Sequence, residues 1–340
     1  MKRYGWRAAM YAVVSFFIIL TIFSSGLWAA PYYQGKKIKI IVGGPPGSGF
    51  DNVSRLLAKH LPKYVPGNPK IIIEHQPTAS SMVAANYVFN VVKPDGLTVG
   101  TINPGLLLGQ LIKMEGIKFD FSQFTWLGSV SSEITLLCIR GNLPYKTFDE
   151  FRKVKEKIPI AGAGPVSRST QFSILAENFL SQNIKIIYYA GTPPPGLVMK
   201  VESGETDGTA TAYSFLKPAI DRGALRPILR GRNSNPATKY LPVDEDLTTD
   251  KIGKQLMAIR SIMDNLSRPF VAPPGMRKET ADILRKAFGD VSKDPLFLKD
   301  AERQGTPVEY TSAEKSLNEI KRILNQPPEV VEGVKKYLKI

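Results

Sequence analysis

A glycine- and proline-rich run between two apolar segments is the strongest chemical signal in this sequence. It reads GGPPGSGFD at residues 43–51 and follows the apolar run IKIIV. Glycine lets the backbone approach a ligand closely, and the free amides at a helix start favour an anion. Ser48 and Asp51 also have the S-x-x-D spacing of helix capping, so a structural role for Asp51 stays open beside a binding role. We predict ligand contacts from Pro46, Gly47, Ser48, Gly49 and Asp51.

This loop does not fit two common nucleotide-binding motifs. A phosphate-binding P-loop requires G-x-x-x-x-G-K-[ST], but Phe50 and Asp51 stand where the lysine and the hydroxyl residue would be. The G-x-G-x-x-G spacing of a dinucleotide site is also absent. A small carboxylate held by neutral amides is the better chemical match.

Two further loops have the same position between a predicted strand and a predicted helix. The first, GAGPVSRST at residues 162–170, supplies amides, three hydroxyl groups and a guanidinium. That guanidinium, of Arg168, either pairs with a carboxylate or lies in solvent at the cleft edge. The second, YAGTPPPG at residues 189–196, has prolines that stiffen a pocket wall or only begin a helix. The candidate contacts in these loops are Gly164, Ser167, Arg168, Ser169, Thr170, Tyr189 and Thr192.

The rest of the composition excludes much catalytic chemistry. One cysteine, Cys138, and two histidines, His60 and His75, provide no intrachain disulfide, no zinc cluster and no Cys/His pair with ordinary spacing. A G-x-S-x-G nucleophile elbow is missing from the sequence, so an exported α/β hydrolase such as an esterase is the disfavoured alternative. We predict no catalytic residue, no metal and no cofactor.

The elements that position these loops alternate between strands and helices. The chain has 340 residues, of which 43% are hydrophobic and 22% charged, which is typical of a folded protein with two domains. Short β-branched runs alternate with amphipathic ones, which predicts α/β domains with mainly parallel sheets. A T-x-x-E capping box begins at Thr147 and marks our predicted boundary. We assign residues 31–145 and about 255–340 to domain I and about 146–254 to domain II, with a ligand cleft between them.

Residues 1–30 have the pattern of an export signal. Lys2, Arg3 and Arg7 precede a long uncharged apolar stretch that ends in small residues. An uncleaved membrane anchor is the alternative, and both interpretations place the rest of the chain outside the cytoplasm. Removing these three cations reduces the net charge from +15 to 15 − 3 = +12. The remaining cations are scattered along the chain, so we predict no nucleic-acid partner.

The mature sequence resembles the periplasmic substrate-binding receptors of tripartite tricarboxylate transporters, the Bug-type family. The resemblance extends from about residue 36 to the end of the chain. It is carried by these segments: IKIIVGGPPGSGFDNVSRLLAKHL, IIIEHQP, VAANYVFNVVKPDGLTVGTINP, FDFSQFTWLGSV, IIYYAGTPPPGLVMKVESGETDG, RPFVAPPGMRKETADILRKA and DPLFLKDAERQGTPVEY.

This resemblance implies a two-domain periplasmic-binding-protein-like fold of type II that closes on a small organic anion. The ligand would be a di- or tricarboxylate, an aromatic acid or a similar compound, and membrane permease subunits would receive it. The loop at 46–51 would hold a carboxylate through amides and ordered water, opposite the loop at 164–170, with Asn103 also in contact. An exported receptor that presents the ligand to a signalling partner is the alternative.

The sequence departs from the family pattern at three places. Residues 78–81, TASS, replace a glycine-rich tract, and the usual histidine is missing near Phe172 or Ser173. After Asp207 the chain has ATA at residues 210–212 where the family often has Phe-Asp-Asn. The resemblance therefore implies contacts from Asp207, and from Thr211 or Tyr213, to a ligand that differs from citrate.

Overall fold

The protein contains two five-stranded sheets with helices on their faces. The computed structural model describes residues 30–338, apart from the side chains of residues 168 and 169. The predicted export segment lies outside this range except for Ala30. Within the range, none of the helices combines the length and the apolar character that crossing a membrane would require.

The first sheet has the strand order β2-β1-β3-β10-β4, and the second has the order β7-β6-β8-β5-β9. The strands are β1 (Lys37–Val42), β2 (Lys70–His75), β3 (Thr98–Thr101), β4 (Thr125–Ser129), β5 (Thr135–Arg140), β6 (Ile158–Gly162), β7 (Ile184–Tyr188), β8 (Gly208–Ala212), β9 (Leu225–Arg230) and β10 (Pro269–Ala272). The first sheet therefore takes β1 to β4 from one continuous stretch and β10 from a later part of the chain, whereas β5 to β9 of the second sheet are consecutive.

The helices cover both faces of these sheets. They are α1 (Gly49–His60), α2 (Met82–Asn90), α3 (Leu106–Leu111), α4 (Phe148–Phe151), α5 (Arg168–Phe179), α6 (Pro194–Glu202), α7 (Tyr213–Asp221), α8 (Lys251–Asn265), α9 (Lys278–Val291), α10 (Pro295–Arg303), α11 (Ala313–Leu324) and α12 (Pro328–Leu338). Short 3₁₀ helices span Leu61–Tyr64, Thr78–Ser81 and Asp244–Asp246.

Strand direction places the predicted loops at one edge of each sheet. β1 is parallel to β2 and β3, and β6 is parallel to β7 and β8, so the loops that follow these strands meet at the carboxyl edge. β10 is antiparallel to both of its neighbours, as is β5. The amino ends of β10 and β5 therefore lie at the same edge as the loops.

Burial on both faces explains the apolar character of the central strands. In β1, Ile38, Ile40 and Val42 pack into one core cluster with α1 and α9, while Ile41 packs into a second cluster on the opposite face. This is the expected pattern for parallel strands that helices cover on both sides. The rigid sheet then fixes where the loop after Val42 begins.

The crossing between the sheets comes earlier than the predicted boundary after residue 145. The segment EITLLCI forms β5 in the second sheet, because it pairs with β8 and β9, so the chain crosses at residues 130–134. The return crossing contains α8, which spans the other predicted boundary near residue 255. Residues 264–268 run beside the first crossing, where Glu133 N donates to Asp264 O at 3.0 Å and Ser267 Oγ donates to Ser131 O at 2.8 Å.

The carboxyl-terminal helices do not all pack on the first domain. The segment after β10, which we assigned to domain I, contains α9 to α12. However, α12 also contacts the second-domain helix α5, where the rings of Tyr337 and Phe179 lie 4.6 Å apart. This helix therefore contacts both the second domain and α8 of the return crossing.

Candidate ligand-binding cleft

The loop after β1 is locked by its own side chains. Ser48 is the N-cap of α1, and its Oγ accepts from Asp51 N at 3.4 Å, as the capping pattern predicted. The buried Asp51 carboxylate accepts from Gly47 N at 2.9 Å and lies 2.8 Å from His75 Nε2 and 3.0 Å from Arg55 Nε. Burial raises the pKa of Asp51, but these hydrogen bonds lower the pKa more, so the net pKa lies below the usual value.

The loop after β6 is held in a similar way. Thr170 Oγ1 accepts from Ala163 N at 3.0 Å and from Gly164 N at 3.5 Å, and Thr170 is almost fully buried. The hydroxyl group thus shapes the turn from behind. Gly164, with φ of 155°, adopts a backbone conformation that a side chain would strain.

Between these loops lies a cavity of about 540 Å³ with walls from both domains. Seven of the residues that the sequence predicts as ligand contacts line this cavity: Ser48, Gly49, Asn103, Gly164, Ser167, Thr192 and Thr211. Carboxylate side chains do not occur among the described residues that line this cavity. The walls are therefore compatible with a bound anion.

Residues 78–81 form a strained turn on the cleft wall. Ala79, Ser80 and Ser81 have φ values of 50°, 52° and 81°, in the left-handed region that glycine adopts most readily. Ser81 Oγ donates to Gly43 O at 2.7 Å and ties the turn to the first loop. The backbone thus has a glycine-like conformation although the sequence has no glycine here.

One hydrogen bond crosses the cleft directly. Asn103 Nδ2, which follows β3, donates to Val166 O in the second domain at 3.1 Å. Asn103 Oδ1 accepts from Gly105 N at 2.9 Å, so the amide orientation is fixed. Asn103 therefore links the two walls of the cavity.

Several predicted residues lie outside the cavity. Pro46 and Gly47 are exposed at the loop tip, and Asp51 and Thr170 stabilise their loops from behind. Asp207 pairs with Arg140 at the amino end of β8, about 13 Å of strand away from Thr211.

The two predicted tyrosines also lie outside this cavity. The ring of Tyr189 lies 5.1 Å from Lys200 Nζ, and Tyr213 lines a different cavity. The side chains of Arg168 and Ser169 are outside the description.

Sequence reasoning missed the charged and aromatic residues of the cavity. Arg268, Phe50, Phe215 and Leu197 line it together with residues 78–81. Arg268 directly precedes β10, and the antiparallel direction of β10, which the local sequence does not reveal, brings it to this edge. Phe215 is on α7, a helix that the sequence patterns did not predict.

The two histidines have carboxylate partners but do not line the cavity. His60 Nε2 lies 2.8 Å from Asp300, which connects α1 with α10, and its ring packs edge-on against Phe297. His75 belongs to the Asp51 network of the first loop. Both contacts stabilise the fold around the cleft.

Comparison with known proteins gives structural matches without sequence-family matches. No protein-family model matches the sequence, and no curated protein matches it. A TctC solute-binding protein from Polaromonas has a TM-score of 0.65 at 17% identity, covering 89% of this chain and 99% of that chain.

Two structures from Rhodopseudomonas palustris also match. MatC with bound malate has a TM-score of 0.68 at 17% identity, covering 88% of this chain and 99% of its own. A second protein, with adipate, has a TM-score of 0.69 at 16% identity, covering 90% of this chain and 98% of its own. The chain therefore has the two-domain α/β fold of the periplasmic solute-binding proteins, and its structural neighbours include TctC-type receptors.

Proposed function

We propose that this protein is an exported receptor of the tripartite tricarboxylate transporter type, which captures a small organic carboxylate between two hinged domains. The observation that carries the proposal is the cavity of about 540 Å³ between the carboxyl edges of the two sheets. Open α/β sheets bind ligands at this edge. The malate and adipate in the two neighbouring structures supply the ligand class, and the receptor role argues against catalysis.

Two features of the cavity favour an anion. Ser48 and Gly49 belong to the start of α1, where backbone amides carry a partial positive charge. Arg268 adds a full positive charge nearby. Domain closure would desolvate the ligand, which strengthens its hydrogen bonds to these groups.

The cavity can be tested by purification followed by binding measurements. We expect native mass spectrometry to find a small anion that denaturation releases, and titration calorimetry to detect binding of at least one compound from a panel of malate, adipate, citrate and benzoate. If none of these compounds binds to the protein after unfolding, refolding and dialysis, the receptor proposal is wrong.

A matched pair of variants locates the site. Ala190 and Ala237 are both exposed, but Ala190 lines the cavity and Ala237 does not. Ala190→Trp should weaken carboxylate binding at least about tenfold by filling the cavity, while Ala237→Trp should leave it unchanged. Equal affinity in the two variants would place the ligand elsewhere.

Delivery to membrane permease subunits is the second part of the proposal. Deletion of the gene should abolish uptake of the bound carboxylate by cells. Unchanged uptake together with loss of a transcriptional response to that compound would instead assign the protein to a signalling pathway.

A further inference from the structure

Arg268 is a buried cation at the floor of the cleft. Arg268 is only 5% exposed, yet it lines the cavity. Nη1 donates to Ser267 O at 2.8 Å, and Nη2 donates to Glu133 Oε1 at 3.1 Å. Because Arg268 directly precedes β10, the antiparallel direction of β10 brings it to the edge where the ligand-binding loops lie.

The guanidinium also lies against the start of α1. A Cβ atom added to Gly49, the first residue of that helix, would lie 1.9 Å from Arg268 Nη2. A cation at a helix amino terminus is electrostatically unfavourable, since the helix dipole is positive there. The Phe50 ring, 5.2 Å from the guanidinium carbon, adds a favourable cation–π contact. Two positive groups thus converge at one point of the cavity wall.

Glu133 partly balances this positive charge from the second domain's side. It lies two residues before β5, whereas Arg268 lies one residue before β10, and it is 3% exposed. Its Oε1 also accepts from Ser214 Oγ at 3.0 Å, at the start of α7. The pair therefore joins the two crossing segments beneath the cavity.

We propose that the Arg268 guanidinium is the charged contact for the ligand carboxylate, and that Glu133 competes with the ligand for this contact. The inference rests on the proposed receptor function and names its specificity-determining residue. Phe50, Phe215 and Leu197 supply apolar wall beside Arg268. The preferred ligand is therefore an organic acid with an apolar body. Such a ligand has few polar groups that would lose hydrogen bonds to water against the apolar wall.

The choice of ligand is tested first on the wild-type protein. Benzoate should bind more tightly than citrate. The additional carboxylates of citrate would lose their hydration in the cavity, and the apolar walls offer them no hydrogen bonds in return. Tighter binding of citrate would overturn the assignment of the ligand class. Absence of binding to benzoate, adipate, malate and citrate would instead refute the receptor function itself.

Two variants with opposite expected effects test the residue roles, using the panel member that binds most tightly as the probe. Arg268→Gln should weaken binding by about 10- to 100-fold, since a charge-assisted hydrogen bond is lost. Glu133→Gln should tighten binding by about tenfold, because it removes a nearby like charge and leaves an oxygen for Ser214. The control Arg322→Gln, at a 59% exposed side chain, should change neither affinity nor fold.

A purely structural ion pair gives a different result. In that case both substitutions lower the unfolding temperature and neither tightens binding, which would overturn the inference. Unchanged affinity in Arg268→Gln would also overturn it. Should Arg268→Gln fail to fold, Arg268→Lys retains the charge but not the planar donor pair, and we expect intermediate affinity. Equal affinity of Arg268→Lys and wild type would then contradict the proposed contact.

Discussion

Substitution of Asp51 tests whether its carboxylate stabilises the loop after β1 or binds the ligand. Its oxygens are buried and accept from Gly47 N at 2.9 Å and lie 2.8 Å from His75 Nε2. Each such charge-assisted hydrogen bond contributes about 1.5 kcal/mol or more to stability. The partner Arg55 has a side chain that is 57% exposed, so its i,i+4 pair adds at most about 0.5 kcal/mol after solvent screening.

These contacts sum to about 3 kcal/mol, so Asp51→Ala should lower the unfolding temperature by about 5 °C. Asp51→Asn retains one acceptor oxygen and should lose about half of this free energy. Circular dichroism during heating or urea titration measures the change. Carboxylate affinity, measured below the unfolding transition, should fall only a few-fold in Asp51→Asn, because the side chain does not line the cavity.

The pH dependence of the difference between wild type and Asp51→Asn isolates this carboxyl group. Its pKa is lowered in the folded protein, so its contribution is fully present above the unfolded pKa of about 3.9 and is lost as pH falls through the folded pKa. Desolvation raises the pKa of the buried Asp244 to about 6, so this residue also makes stability depend on pH. Its contribution is the same in wild type and variant and is removed when their free energies of unfolding are subtracted. A variant Asp51→Asn with unchanged stability and at least about tenfold weaker binding would refute the structural assignment.

Two further predictions concern the cleft wall. Ala79→Gly should stabilise the protein by about 0.5–1 kcal/mol, because φ is 50° there, whereas Ala85→Gly in helix α2 should destabilise it; equal signs in urea denaturation would contradict the strain argument. Asn103→Ala should weaken carboxylate binding by about 2- to 10-fold, since its hydrogen bond to Val166 O connects the domains. The control Asn86→Ala, which removes an amide contact to Gly116 O within the first domain, should leave the dissociation constant unchanged in calorimetry.

Local chemistry explains why part of the fold could be predicted from the sequence. β1 has four apolar residues among its six and is followed by a capped helix start at Ser48, and both signals lie within a dozen residues of each other. β8, in contrast, has one glycine and two alanines, which are depleted in strands, and its two threonines alone give no strong strand signal. It is central in its sheet because β5 and β6 pair with it, and that pairing cannot be read from its own residues.

The same distinction applies to the site. Gly49 and Gly164 were predictable because glycine-rich turns at strand ends have a local pattern. Arg268 was not, because its role depends on the direction of β10, on a helix start more than 200 residues earlier and on Glu133 in the other crossing segment. Residues that are joined only by tertiary contacts leave no periodic signal in the chain.

The position of Arg268 also bears on how the proposed ligand would act on the two segments that cross between the sheets. Its backbone belongs to the return crossing: Arg268 N donates to Ser129 Oγ at 3.3 Å, and Arg268 O accepts from Val130 N at 3.4 Å. A ligand that pairs with its guanidinium, as proposed, would thus change the charge balance at the segments that connect the domains. Because Glu133 lies in the adjacent crossing, competition for Arg268 would give the ligand-free and ligand-bound states different hinge contacts. That difference in contacts is what a ligand needs to shift a conformational equilibrium.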